Sequence, residues 1–310
     1  MSERPNRLTV SFPGNALREA VGDLPEGAEA LHWDMRSPAP RPHLDIVVPP
    51  YMGAKKTLGA LGGVATRLVQ SQSIGYDGVE QLLPAGVVYA NAASVHETST
   101  AELALALTLA SQRGIPEFVR AADAGQWAPA RHQSLADRTV LLLGYGGVGR
   151  AIEARLLPFE TNVVRVARHA RSDERGAIHA IDELPALLPE ADIVIVAVPL
   201  TPDTTRLIDE AFLAAMPDGA LLVNVARGAI ADTDALIRHA ASGRLRLALD
   251  VTDPEPLPEG HPLFGLPNVL ISPHVGGAST AMLPRMARLL RTQIERMLRG
   301  EPPLNVVLRT

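Results

Sequence analysis

The chain has no cysteine in its 310 residues. Disulfides, thiolate nucleophiles and cysteine-ligated zinc are therefore excluded. No apolar run approaches the roughly 20 residues that a membrane-spanning helix needs. Positive charge is not in surplus: 29 Lys and Arg stand against 34 Asp and Glu, a net charge of −5. That balance offers no basic field for nucleic acid. The opening residues, Met1-Ser2-Glu3-Arg4-Pro5, lack the charged-then-apolar layout of a secretory leader, and the expected compartment is the cytoplasm. His32, His43, His96, His132, His169, His179, His239 and His261 show no metal-ligand spacing and read as surface or structural residues, so no metal is expected. No activated serine motif, internal repeat or low-complexity segment stands out.

What the chain does have is length and apolar content. With 310 residues, 46% of them hydrophobic, it can build about two domains, each with its own core. The first part alternates strand-like segments (Arg7 to Ser11, Asp45 to Val48, Leu68 to Ser71, Val87 to Tyr89) with helix-like ones (Asn15 to Val21, Lys55 to Leu61). This spacing predicts a small α/β unit. A dense apolar helix over Thr98 to Arg113 reads as buried between two domains. Gly125 to Leu135 reads as a loop with Trp127 packed somewhere. A second unit begins at Thr139, with strands at Val140–Leu143, Val163–Ala167, Ile178–Ala180, Ile193–Ala197, Leu221–Val225, Leu247–Val251 and Val269–Ser272. Helical crossovers between most of them predict a doubly wound, mostly parallel sheet. Thr280 to Leu298 is the last helix. The expected fold is α/β, with two Rossmann-like or flavodoxin-like domains and an active site in the cleft between them. Residues 1–91 with 285–310 would form one domain and 92–284 the other.

Leu141-Leu142-Leu143 runs into Gly144-Tyr145-Gly146-Gly147-Val148-Gly149, followed by helix-like sequence. In that pattern the first glycine turns the strand, the second lets backbone touch a pyrophosphate, and the third lets helix press on sheet. The helix start then offers N–H groups to phosphate; the alternative is a plain glycine-rich turn. An acidic residue about 20 positions on would grip an adenine ribose. That zone instead holds Arg168 and Arg171, with no carboxylate before Asp173. Guanidinium matches a 2′-phosphate, so NADP(H) is favoured, with NAD(H) open. The alternative makes both arginines solvated loop residues.

Three later segments, Val225-Ala226-Arg227-Gly228, Asp250-Val251-Thr252-Asp253-Pro254-Glu255-Pro256 and Ser272-Pro273-His274, each follow an apolar run and so sit at strand ends. Arg227 can clamp the carboxylate of a 2-oxo acid and polarise its carbonyl. His274 can protonate the oxygen as hydride arrives at the carbon. Glu255 can hold the other ring nitrogen and favour the imidazolium. Taken singly, each has a structural alternative: a strand-capping arginine, a solvated loop acid, a satisfied histidine.

On these motifs, together with Asn224 before Val225, Leu249 before Asp250 and Val275-Gly276-Gly277 after His274, the chain resembles the D-isomer-specific 2-hydroxyacid dehydrogenases over about residues 68 to 300. The stretch from Asp250 to Pro258 is similar to glyoxylate/hydroxypyruvate reductases. The resemblance implies that Arg227, Glu255 and His274 are catalytic. It implies cofactor contacts from the 144–149 turn, Val198, Pro199, Thr204, Val225, Ala226, Asp250, Gly276 and Thr100. The backbone of Ile74 and Gly75 would bind the substrate carboxylate. Apart from the resemblance, Tyr51 and Met52 sit on a loop that could cover the substrate and are the candidates for specificity. A homodimer through the nucleotide-binding domain is also implied, with the last helix returning to the substrate domain. Two departures stand out. The first ~65 residues match no member closely, and 91–97 replaces a Pro-Gly-bearing stretch. Competing expectations are oxidation of phosphite, with Lys55 or Lys56 as its loop lysine, D-3-phosphoglycerate as substrate, or a dinucleotide-sensing corepressor. Formate enzymes carry glutamine where this chain has Glu255.

Overall fold

A computed structural model describes residues 7–310, so the Met1–Pro5 stretch read for a leader lies outside the described residues. The strands are β1 (Leu8–Phe12), β2 (Ala28–His32), β3 (His43–Val47), β4 (Ala65–Gln70), β5 (Val88–Ala90), β6 (Thr139–Leu143), β7 (Asn162–Ala167), β8 (Arg171–Asp173), β9 (Gly176–Ala180), β10 (Ile193–Val196), β11 (Leu221–Asn224), β12 (Arg246–Leu249), β13 (Val269–Ile271) and β14 (Val306–Arg309). They divide between two compact units: one runs to His96 and resumes at Ala278–Thr310, and the other is Glu97–Gly277.

The first unit has strand order β14-β5-β4-β3-β1-β2, with β14 antiparallel to β5 and the rest parallel. The order 2-1-3-4-5 within it is the flavodoxin-like one. One core gathers Leu8, Val10, Phe12, Ile46 and Leu68; a second gathers Leu44, Val47, Val69 and Tyr89. The helix Met282–Leu298 belongs here: its Met286, Leu290 and Ile294 pack into the first of these cores, and the Arg291 guanidinium donates to the Val21 carbonyl.

The second unit orders its strands β13-β12-β11-β10-β6-β7-β9-β8. All pair in parallel except the β8–β9 hairpin. A parallel sheet covered on both faces needs apolar residues at every position, and β6 and β10 supply them. Leu141, Leu143, Val194, Val196 and Leu222 fill one core, while Val140, Leu142, Ile193, Ile195 and Val223 fill the other. Strand periodicity sends alternate residues to opposite sides. The helix Glu97–Gln112 buries Ala101, Ala104, Leu105, Thr108 and Gln112. That stripe of three- and four-residue steps lies along one helical face and packs on this unit's own sheet. Among the described residues no helix is long and apolar enough to cross a membrane.

Two expectations fail. Trp127 is 94% exposed rather than packed. Its segment is anchored instead by buried Leu135 and by Arg246, whose guanidinium reaches Gln133 Oε1, Gln112 Oε1 and the Ser111 carbonyl. Strands β2, β8 and β14 are also additional to the sequence reading. They lie at sheet edges, each paired with a neighbour on one side only. The residues of β8 are all exposed.

Candidate active site

Strand order reverses between β6 and β10, and in open α/β sheets ligands bind beyond the carboxyl ends of strands at such a switch point. The glycine turn sits there. A Cβ on Gly144 would come 2.6 Å from the Ala197 carbonyl carbon, and one on Gly149 would come 2.1 Å from the Gly144 oxygen. A Cβ on Gly146 would meet nothing within 4 Å. Two glycines thus permit close chain packing, while the third leaves bare backbone toward open space at the start of the helix Gly147–Leu156. These residues fit a dinucleotide pyrophosphate.

The Tyr145 side chain turns into the protein. Its hydroxyl donates to buried Glu153, and Arg165 lies 5.2 Å over its ring. Burial, reinforced by the Glu153 hydrogen bond, raises the phenol above its ordinary pKa. Arg165 also binds Asp173 at 2.8 Å, and Arg175 binds Glu153 at 2.8 Å, which ties the β8–β9 hairpin to the glycine turn. Arg171, on β8, donates to the Tyr145 carbonyl at 3.2 Å. Arg168 pairs with Asp203 at 2.8 Å, with both side chains largely exposed. Thr204 is buried, and its hydroxyl closes the 199–204 loop on the Pro199 carbonyl at 2.6 Å.

Three neighbouring strand ends carry the other candidates. At the end of β11, Asn224 shapes the turn: its Oδ1 accepts from Ala226 N–H at 3.0 Å, and its Nδ2 donates to the Arg227 carbonyl at 3.0 Å. Arg227 Nη1 donates to the Ala226 carbonyl at 2.7 Å. Gly228 lies so close to the loop after β12 that a Cβ there would sit 1.9 Å from the Thr252 oxygen. Beyond β12, buried Asp250 organises the end of β13. Its Oδ1 accepts from Ser272 Oγ at 2.7 Å and Val275 N–H at 2.9 Å, and its Oδ2 accepts from Gly276 N–H at 2.9 Å. Its carbonyl accepts from His274 N–H at 2.7 Å. His274 is thereby held in the left-handed region, with φ of 53°, a conformation that costs a non-glycine residue energy and is retained where surrounding bonds over-determine it. Its Nδ1 lies 2.5 Å from Glu255 Oε1. With the carboxylate accepting from Nδ1–H, Nε2 on the far edge of the ring is left for proton exchange. Thr100 and Gly276 adjoin one another, since a Gly276 Cβ would lie 3.4 Å from Thr100 Cγ2.

In the first unit, Tyr51, Ile74 and Gly75 follow the carboxyl ends of β3 and β4, and Met52 is 60% exposed. The Ser73 carbonyl accepts from Ala92 N–H at 2.9 Å, and the Ile74 carbonyl accepts from Asn91 Nδ2 at 2.9 Å. A planar trans peptide points its N–H opposite its C=O, so the N–H groups of Ile74 and Gly75 are both turned away from the 91–92 segment. Lys55 forms an ion pair with Asp77 at 2.6 Å. Among the described residues no cluster of His, Asp or Glu is arranged to hold a metal.

Asn224 and Ser272 stand within motifs read from the sequence, but their supporting roles are visible only in the bonds they make. Gln72 and His96, both buried, carried no functional signal in sequence.

The model of the D-isomer specific 2-hydroxyacid dehydrogenase NAD-binding domain matches residues 105–276. The chain belongs to the D-isomer specific 2-hydroxyacid dehydrogenase family. It is 32% identical to the human glyoxylate reductase/hydroxypyruvate reductase over 293 residues, covering 88% of this chain and 89% of that one. A D-isomer specific 2-hydroxyacid dehydrogenase from Xanthobacter autotrophicus, solved with NADPH and MES, superposes with a TM-score of 0.81 at 28% identity, covering 98% of each chain. An NADPH-dependent glyoxylate/hydroxypyruvate reductase from Sinorhizobium meliloti, solved with NADP and malonate, gives 0.77 at 26% identity, covering 97% of each. This family member is thus an NAD(P)-dependent oxidoreductase.

Proposed function

We propose that the chain reduces a small 2-oxo acid of the glyoxylate or hydroxypyruvate type to the D-2-hydroxy acid. The observation that carries this reading is the His274–Glu255 pair, set one strand end away from the Arg227 turn. When bound, the reduced nicotinamide supplies hydride to the carbonyl carbon. Arg227 clamps the carboxylate and draws electron density onto the carbonyl oxygen. His274 Nε2 delivers the proton that this oxygen gains. Glu255 keeps the ring in the tautomer that frees Nε2 and offsets the charge of the imidazolium. In the reverse direction neutral Nε2 takes the hydroxyl proton.

Asp250 acts through the loop it holds and, with Val225, Ala226, Thr100 and Gly276, would hold the nicotinamide end of the cofactor. Val198, Pro199 and Thr204 would hold the adenosine half. The N–H groups of Ile74 and Gly75 receive the substrate carboxylate, and Tyr51 and Met52 contact its remainder. Residues 92–284 would then bind dinucleotide, and 1–91 with 285–310 would bind substrate. Arg168 and Arg171 support a preference for NADPH, and two of the relatives were solved with NADPH or NADP. Of the two lysines a phosphite reading would use, Lys55 is engaged by Asp77. A homodimer through the nucleotide-binding unit is supported by exposed Ile115 and Val119 on the helix Ile115–Asp123 and by exposed Trp127 just beyond it.

A panel of glyoxylate, hydroxypyruvate, D-3-phosphoglycerate and phosphite, each tested with NADP(H) and NAD(H), checks the reading. Turnover of the first two is expected, faster with NADPH. A purified chain that binds NADPH but turns over none of them would be a dinucleotide sensor instead.

A further inference from the structure

We infer that His96 is a positioning residue for substrate, acting through Gln72 on the backbone that receives the carboxylate. The inference rests on the proposed role of Ile74 and Gly75. His96 and Gln72 are 5% and 6% exposed, and His96 Nε2 lies 2.6 Å from the Gln72 carbonyl. A carbonyl only accepts, so Nε2 carries the proton. The Gln72 side chain points elsewhere: its Nε2 donates to the Pro49 carbonyl at 2.9 Å. Two residues beyond Pro49, the Tyr51 ring stacks on the His96 imidazole, with centroids 5.6 Å apart and planes at 11°.

The result is a closed circuit, Pro49 to Tyr51 to His96 to Gln72 and back to Pro49. It joins the segments that leave the carboxyl ends of β3, β4 and β5 in the first unit. The Lys55–Asp77 pair at 2.6 Å makes a second tie between two of those segments.

The consequence falls on the next three peptides. The carbonyls of Gln72, Ser73 and Ile74 are held in succession by His96, Ala92 N–H and Asn91 Nδ2. Ser73 N–H is held by Ser71 Oγ at 3.0 Å. Because each peptide is planar, the Ser73 and Ile74 carbonyls set the directions of the Ile74 and Gly75 N–H groups, while the Gln72 carbonyl held by His96 sets the Gln72–Ser73 peptide from which they follow. His96 supplies the first of the three anchors and, through its stack, couples that anchor to Tyr51. It acts one peptide upstream of the groups proposed to meet the substrate, through the Gln72–Ser73 peptide, which makes it a positioning residue and not a catalytic one.

His96→Leu keeps bulk but removes the donor, whereas His96→Gln restores a nitrogen donor at nearly the same reach. Steady-state KM and kcat for glyoxylate and hydroxypyruvate are measured for both, with NADPH affinity by fluorescence titration and Tm as controls. Removing one hydrogen bond that acts on ground-state binding is expected to raise KM roughly 3- to 10-fold in His96→Leu. The expected kcat and NADPH affinity are unchanged, and His96→Gln recovers most of the loss. An unchanged KM in His96→Leu overturns the inference. So does a parallel fall of KM, kcat, NADPH affinity and Tm that His96→Gln does not rescue. If His96→Leu fails to fold, His96→Gln is compared with His96→Asn, whose shorter amide falls short of the Gln72 carbonyl; equal KM values overturn the inference. A wild-type chain that reduces no 2-oxo acid overturns the proposed function and this inference together, whereas an active wild type with insensitive KM overturns this inference alone.

Discussion

His274 and Glu255, 19 residues apart in sequence, bring Nδ1 and Oε1 to 2.5 Å. The contact forms because β12 and β13 are adjacent and parallel, so the loops leaving their carboxyl ends meet. Glu255→Gln keeps the size and one acceptor but loses the charge that favours imidazolium. A charge-assisted hydrogen bond is about twice as strong as a neutral one, so kcat for reduction is expected to fall at least roughly tenfold. NADPH affinity should be retained. Stopped-flow measurement of the hydride-transfer step checks this, and an unaltered rate speaks against the role of Glu255.

Arg227→Lys keeps the charge and loses the planar fork. Both a raised KM and a lowered kcat are expected for 2-oxo acids, because an ammonium cannot hold the carboxylate and the adjoining carbonyl in one geometry. Steady-state kinetics with glyoxylate tests it. Wild-type values for both constants would remove Arg227 from the mechanism.

Two glycines of one turn should behave in opposite ways. Gly146→Ala adds a methyl where nothing lies within 4 Å, so Tm should barely move while dinucleotide affinity drops. Gly149→Ala forces a methyl against the Gly144 oxygen, and overpacking of that kind costs about 1–3 kcal/mol or more. Thermal unfolding with and without NADPH separates the two. Equal Tm losses, or full cofactor-induced stabilisation of Gly146→Ala, would argue against the pyrophosphate site.

Arg168 is paired with Asp203 across two exposed loops, so a cofactor 2′-phosphate would have to compete with that carboxylate for it. Asp203→Asn is therefore expected to tighten NADPH binding, and Arg168→Ala to weaken it, with NADH affected little by either. The measurement is Kd for both cofactors. Equal changes for NADPH and NADH would rule out phosphate pairing by Arg168.

Much of this was legible in the sequence because the chemistry sits on strongly patterned elements. Strands β6, β10 and β11 are continuous apolar runs, and the glycine turn, Arg227 and His274 follow such runs directly. The less legible features depend on distant partners. Edge strands β2 and β8 have no apolar signature, and Trp127 carries a hydrophobic side chain that its own unit leaves exposed. The three hydrogen bonds by which Asp250 organises the His274 loop left no mark in the sequence. Buried His96 stands outside any motif, and only the folded chain stacks it on Tyr51 and brings it to Gln72.

The most direct test compares wild type with His274→Ala, following loss of the near-ultraviolet absorbance of NADPH with glyoxylate or hydroxypyruvate and measuring NADPH Kd on the same samples. The account predicts turnover by wild type and a kcat lower by roughly 10²- to 10⁴-fold in the variant, the span of a general acid's contribution, at unchanged Kd. A variant that turns over at the wild-type rate would contradict it.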